Sequence, residues 1–442
     1  MKYTEFLNQF SSVSITQTSS RNFSTNKLHI DQSSLNVDEK VFGLFEKYAK
    51  NNNFIEKFNE LMDGQRLNNT ENREVTHFKY RNTKSDIFEA SLDKMEALAS
   101  EIKHNYKKIL IFGIGGSYLG PKLMEDIFSS KELEIDFITG SDPSEYQQYL
   151  EQDLSDCAFI ITSKSFSTIE TLTSYDAITK GKLLNQTYAV TSLVDKAETF
   201  GISSNNIAEI DIGTGGRFSI WSAVNLGLFI RLGRDRFKDF LKGGKTIDDL
   251  SSSDIANNPA LSLAIQDLIM NNLLQMDSTL ILNYDYKLRN FSSYIQQLEM
   301  ESLGKSVDRD TGESLSYETG SIVWGGYGPR SQHSFFQHLF QGTKEANAYF
   351  IISKTDNLNF KQFKGQTESL MSGNDNELDV HKKVTKRRFS SLVLEDLSPE
   401  SIGELIAIWE NKTIFMSMFW NINPFDQWGV ELGKINTKKE IE

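Results

Sequence analysis

The stretch ILIFGIGGSYLGPKLMEDIF, residues 109–128, changes character twice in a short span. Ile109 to Phe112 form an apolar run bounded by glycine, which reads as a short buried strand. Gly113, Gly115 and Gly116 then permit a tight turn and close backbone approach. From Tyr118 to Phe128 the pattern is helical. The same plan returns at FIIT (159–162), a strand followed by a small polar loop and a helix beginning near Thr168. Related strand-then-helix units follow at LILNY (280–284) and SIVW (321–324). Buried apolar strands alternating with helices predict an α/β fold with doubly wound parallel sheets. Ligands in such sheets lie beyond the C-terminal strand ends, at helix N-termini. The loops after these strands are therefore where chemistry is to be sought.

The chain of 442 residues accommodates about three domains at roughly 150 residues each. Residues 1–40 are rich in Ser, Asn, Thr and Gln and predict an irregular arm with short helices. VFGLFEKYAKNNNFIEKFNELMDG is helical from Val41 to a stop at Gly64. GGKTIDDLSSSDIANNPA (243–260) predicts a linker. The resulting map has an N-terminal arm and helices (1–80), a first α/β domain (81–242), the linker (243–260), a second α/β domain (261–425) and a C-terminal helix (426–442). No short tandem repeat is present; the recurrence is architectural.

Composition narrows the function. With 47 basic and 60 acidic residues the formal charge is −13, which argues against nucleic acid or an anionic membrane as the main partner. An anionic substrate would need a locally positive pocket. The single cysteine, Cys157, cannot form an internal disulfide or a cysteine zinc cluster, and a reducing cytoplasm fits. It reads as a small core residue at a strand start. The N-terminus lacks a continuous apolar signal segment, and no apolar run approaches the ~20 residues needed to span a bilayer. The histidines are scattered, so a metal site has little support.

In GIGGSYLG the dinucleotide fingerprint would need glycine where Tyr118 stands, so nicotinamide or flavin binding is disfavoured. The better readings are a structural turn, or a glycine loop against a polyhydroxyl or phosphate ligand with Ser117 adding a hydroxyl. In TSKSFST (162–168), Ser163, Ser165, Ser167 and Thr168 surround Lys164 at a helix start. One N-cap needs one hydroxyl. This surplus, with a cation and helix N–H groups, favours a phosphate cradle. In GGRFSIWSAVNLG (215–227), two glycines, Gly215 and Gly216, precede Arg217. That arginine suits an oxyanion, or equally a surface turn.

SSYIQQLEMESLGK (292–305) reads as a helix with Gln297 and Glu301 on one face, Glu301 beside Tyr294 and Leu298. A carboxylate at the edge of an apolar stripe would be a candidate general base; a solvated glutamate is the more frequent alternative. GPRSQHSFFQHLFQGT (328–343) places His333 in the first turn of a Phe-rich helix, as a proton exchanger or a capping residue. In NPFDQWGVELGK (423–434), Gln427, Glu431 and Lys434 follow helical spacing. The alternatives there are surface pairing or, from Trp428 and Val430, a buried Lys434 that needs a partner.

Taken in order, GIGGSYLGPK, TSKSFSTIET, GGRFSIWSAVNLG, MESLGK, QHSFFQHLFQGT and FWNINPFDQWGVELGK resemble the glucose-6-phosphate isomerase (phosphoglucose isomerase) family from about residue 60 to 436; NNTENREVTH agrees. The resemblance implies two sugar-isomerase α/β domains with helical terminal arms, a homodimer, no metal, no cofactor, and interconversion of glucose 6-phosphate and fructose 6-phosphate. It implies phosphate binding by Ser163, Lys164, Ser165 and Thr168, and further ligand contacts from Gly116, Ser117, Gly216, Gln297 and Gln427. Glu301 would be the base, Arg217 would steady the enediolate, and His333 with Lys434 would open the ring, His333 reaching the pocket from the other subunit. A phosphosugar-binding regulator or an isomerase that also takes mannose 6-phosphate are the alternatives. The chain departs from the family in GGYGPRS (325–331), where Gly-Glu-Pro-Gly-Thr-Asn-Gly is usual, in His338 and Phe340, and in TGSDPSEY (139–146).

Overall fold

The computed structural model describes residues 2–12, 21–65, 68–355 and 357–441. The part of the N-terminal arm at 13–20 lies outside them. Among the described residues, eleven strands form two sheets. Near the N-terminus, β1 (Asn22–Ser24) and β2 (Leu28–Asp31) pair antiparallel. The first sheet is made of β3 (Lys108–Phe112), β4 (Glu134–Ile138), β5 (Cys157–Thr162), β6 (Thr187–Thr191) and β7 (Ile207–Glu209). They are all parallel, in the order β4-β3-β5-β6-β7. The second sheet adds β8 (Ser278–Asn283), β9 (Ile322–Tyr327), β10 (Asn347–Ser353) and β11 (Phe389–Leu394). Its order is β1-β2-β11-β10-β8-β9, parallel from β11 to β9, with β2 antiparallel to β11 at one side.

The central strands of both sheets, β5 and β10, are buried along their whole length, as strands covered by helices on both faces must be. The apolar run at 109–112 is β3, and the helical stretch after it runs from Leu119 to Phe128. The run from Val41 is two helices, Glu39–Asn51 and Phe54–Met62, parted where Asn53 adopts a left-handed conformation.

Two expectations from the sequence need correction. The arm is not irregular throughout, because Leu28–Asp31 extends the second sheet. The 243–260 stretch is not an open linker: residues to Ser253 belong to the helix Leu226–Ser253, and the helix Pro259–Leu268 follows. Its glycines serve packing. A Cβ on Gly243 would lie 2.0 Å from the carbonyl oxygen of Glu400, so only glycine lets this helix press against the buried helix Pro399–Trp420.

Between these two helices and Trp221 lies a closed ionic knot. Arg81 pairs with Asp248 at 2.8 Å and with Glu410 at 2.7 Å, and Trp221 Nε1 donates to Glu410 at 2.9 Å. The Arg81 guanidinium also stacks 4.3 Å over the Trp221 ring. Cys157 starts β5 and is buried; burial pushes its thiol up to about 12, which suits a core residue. No helix among the described residues is long and apolar enough to cross a membrane.

Candidate active site

The helix Phe291–Leu303 ends beside the tight turn Gly216–Trp221. Arg217 is buried there. Its Nε donates to Ser302 Oγ at 2.6 Å, and its Nη2 donates to the carbonyls of Asp426, at 3.0 Å, and Pro424. The remaining nitrogen, Nη1, lies 3.2 Å from Glu301 Oε1, and the other Glu301 oxygen accepts from Gln297 Nε2 at 2.9 Å. The four-residue spacing of Gln297 and Glu301 is one helical turn, which brings amide and carboxylate together. Burial lowers the pKa of Arg217, and Glu301 and Asp426 oppose that shift. The surface-arginine reading is therefore set aside. Tyr294 and Leu298, expected beside Glu301, are buried in the core; a cation and an amide meet the carboxylate instead, and it is 22% exposed.

The glycine loop after β3 forms the next wall. A Cβ on Gly116 would sit 2.1 Å from the Gly216 carbonyl oxygen, so the two loops touch backbone to backbone. A Cβ on Gly115, whose φ is +59, would lie 3.1 Å from Gln297 Nε2. Ser117 is half-buried on this loop. Gly116, Gly216, Arg217, Gln297 and Glu301 thus meet at one crevice, with Ser117 next to Gly116 on the same loop.

The TSKSFST loop follows β5. Ser163 Oγ lies 3.0 Å from Thr168 Oγ1, and Ser167 Oγ donates to Ser165 Oγ at 2.9 Å. Thr168 occupies the N-cap position of the helix Ile169–Thr179, yet its side chain makes no cap bond. The hydroxyls are not spent on capping. Phe166 adopts a φ of 45 and buries its ring 5.6 Å from that of Phe200, leaving Ser165 and Ser167 exposed. The Lys164 carbonyl accepts from Thr191 Oγ1 at 3.1 Å and Ser192 N at 3.0 Å. Burial draws the Lys164 ammonium down to about 8, and Arg73 and Arg217 add to the shift. Lys164, Arg73 and Arg217 thus act on one another, with Glu71 and Asp211 interposed as opposite charges.

His333, Gln427 and Lys434 are all exposed. His333 does not lie in the first turn of the Phe-rich helix, which begins at Phe336; it is exposed, in the turn after the short helix Gly328–Ser331. Extension of β9 through Tyr327 moves the whole segment along. The burial expected around Lys434 is absent. Trp428 is 59% exposed, Gln427 is exposed, and the helix Glu431–Ile441 buries none of its residues. Lys434 pairs with Glu431 at 2.7 Å and is 58% exposed. Apolar residues in this segment meet no core of the same chain among the described residues.

Three polar residues went unmarked by sequence reasoning. Arg73, paired with Glu71 at 2.6 Å, had only its place in NNTENREVTH as a signal. Lys305 donates to backbone carbonyls and Asp426 offers its own as acceptor, contacts that no residue spacing announces. A cavity of about 540 Å³ opens elsewhere, near Ser278 and Arg388, and shares no residue with the crevice. Among the described residues no group of three or more metal-ligating side chains occurs.

The chain matches the phosphoglucose isomerase family over residues 31–442. It is 32% identical to a glucose-6-phosphate isomerase of Saccharophagus degradans, over 92% of this chain and 85% of that protein. Identity is also 32% to the enzyme of the same name from Christiangramia forsetii, over 92% and 86%. The crystal structure of a glucose-6-phosphate isomerase from Chlamydia trachomatis superposes with a TM-score of 0.89 at 26% identity, over 100% of this chain and 95% of that one.

Proposed function

The chain belongs to the phosphoglucose isomerase family, and on that premise we propose that it interconverts glucose 6-phosphate and fructose 6-phosphate through a cis-enediol, a step of glycolysis and gluconeogenesis. The observation that carries the mechanism is the Glu301 carboxylate, held between the buried Arg217 guanidinium at 3.2 Å and the Gln297 amide at 2.9 Å. It is a base with a cation beside it, at the rim of a crevice that opens to solvent.

Ser163, Ser165, Thr168 and Lys164 take the phosphate, so binding energy remote from the reacting carbons orients them. Glu301 removes the carbon-2 proton and returns it to carbon 1. Arg217 offsets the negative charge that grows on oxygen, already oriented by Ser302 and two carbonyls. The reaction carries one proton from carbon 2 to carbon 1 and one from the carbon-2 hydroxyl to the carbon-1 oxygen, with no net oxidation, so it needs no metal or redox cofactor. Gly116, Ser117, Gly216, Gln297 and Gln427 line the sugar.

Ring opening falls to His333 and Lys434. The exposure of both supports a homodimer in which His333 of the partner subunit completes each pocket. The cytoplasm is the site of action. A coupled assay on fructose 6-phosphate in the presence of a chelator tests the reading: steady formation of glucose 6-phosphate is expected, and no turnover would refute it.

A further inference from the structure

Lys305 closes the end of the helix that carries Glu301. The helix stops at Leu303, and its last carbonyls have no donors within it. Lys305 Nζ donates to two of them, Glu301 O at 2.9 Å and Ser302 O at 3.3 Å. The same ammonium donates to Asp426 O at 3.0 Å and lies 3.3 Å from Asp426 Oδ1. That Asp426 carbonyl also accepts from Arg217, and the second Asp426 carboxylate oxygen accepts from Thr70 Oγ1 at 2.6 Å. One carbonyl thus receives two cations, with a buried carboxylate beneath to balance them. The end of the Glu301 helix, the Arg217 turn and the Pro424–Asp426 segment meet at this point.

We propose that Lys305 is a positioning residue for the isomerisation: together with Asp426 it holds Glu301 in register with Arg217, and its positive charge is what gives it that hold. The inference rests on Glu301 being the base. Arg217 reaches the Glu301 carboxylate through Nη1, while its Nε and Nη2 are bonded to Ser302, Pro424 and Asp426, so no fork locks the carboxylate. The carboxylate's place is set instead by the backbone of residue 301, whose carbonyl Lys305 grips. A shift of about 1 Å at a reacting group costs on the order of 10²-fold in rate.

The charge dependence has a definite sign. Burial draws Lys305 down to about 8; Arg217 adds to this, while Asp426 and Glu301 oppose it. Above that pH the ammonium becomes an amine and its bonds to the carbonyls and to Asp426 weaken. Stability moves the other way. A lysine whose pKa is lower in the folded chain costs stability while charged, and that cost is relieved as pH rises from about 8 toward the ordinary lysine range. The rate should fall where the fold loses nothing. A lysine with only a structural role would not separate the two. Lys164 is also drawn down to about 8, but at the phosphate cradle its titration acts on KM, and that of Lys305 on kcat.

The test uses the purified full chain and fructose 6-phosphate. K305M should lose kcat by roughly 10- to 100-fold with KM within about 3-fold of wild type. K305R should keep most of kcat at pH 7 and lose the alkaline fall in kcat. D426N should reproduce K305M, and it carries the test should K305M fail to fold. The wild-type melting temperature should hold or rise from pH 7.5 to 9. Wild-type kcat in a folded K305M, an unchanged alkaline limb in K305R, or a parallel fall of kcat and melting temperature each overturns the assignment. An active E301Q overturns the base and this inference together; an inactive E301Q beside an unimpaired K305M overturns this inference alone.

Discussion

Arg81 and Arg217 are both buried arginines that converge on the Gly216–Trp221 turn, and they do opposite things. Arg81 stacks on Trp221 and is closed in by Asp248 and Glu410, whose side chains are themselves sealed from solvent. Arg217 is as deeply buried, but its counter-ion Glu301 sits at a crevice that opens to water. Depth alone separates nothing here. What sets the proposed catalytic arginine apart is that its partner carboxylate is 22% exposed, whereas the Arg81 partners are buried.

The largest effect should come from the reachable carboxylate. E301Q should lower kcat by roughly 10²–10⁴-fold or more with an unchanged melting temperature, the usual worth of positioned acid–base catalysis. A fully active E301Q protein would make the Arg217 pair as structural as the Arg81 knot. R81M strands two buried carboxylates, so urea denaturation should reveal a loss of about 3–5 kcal/mol while kcat per folded molecule stays near wild type. A loss of turnover without a loss of stability would erase the contrast. R217K keeps the charge and loses the planar fork that joins Ser302, Pro424 and Asp426. Steady-state kinetics should show kcat reduced by about 10²-fold.

The smallest effect is the pH response of the closed knot. Two carboxylates face one guanidinium there, and burial pushes Asp248 up to about 6 and Glu410 up to about 7. The folded chain then keeps protons that the unfolded chain has released. The stability these groups contribute is complete below the ordinary carboxylate range and is lost as pH rises through 6 and 7. E410Q leaves one carboxylate per guanidinium. It should flatten that part of the pH dependence of the urea midpoint between pH 5 and 7.5; an unaltered slope would show that Glu410 is already ionised throughout.

What the sequence made legible was local. Ile109–Phe112 and Phe159–Thr162 announce themselves because an apolar run ending in glycine or hydroxyls needs no distant partner to be read. The Gln297–Glu301 pair was legible for the same reason, through helical spacing. Leu28–Asp31 was not, since its strand character comes from pairing with β11 far along the chain. The 243–260 segment misled because its Gly and Ser content resembles a flexible joint, while the fold uses small residues there for close helix contact. Trp428 and Val430 promised burial that the described residues of this chain do not supply. Lys305 and Asp426 stayed hidden because their contacts run through backbone carbonyls, which every residue has.

The N-terminal strand bears on how the protein is made. β2 completes the second sheet by pairing with β11, which leaves the ribosome roughly 360 residues later, a wait of roughly 20–70 s at ordinary elongation speeds. The first sheet, built entirely from residues 108–209, can assemble meanwhile. A nascent chain therefore carries a β1–β2 hairpin with one unmatched edge through most of its synthesis, and β11 is the strand that finally captures it.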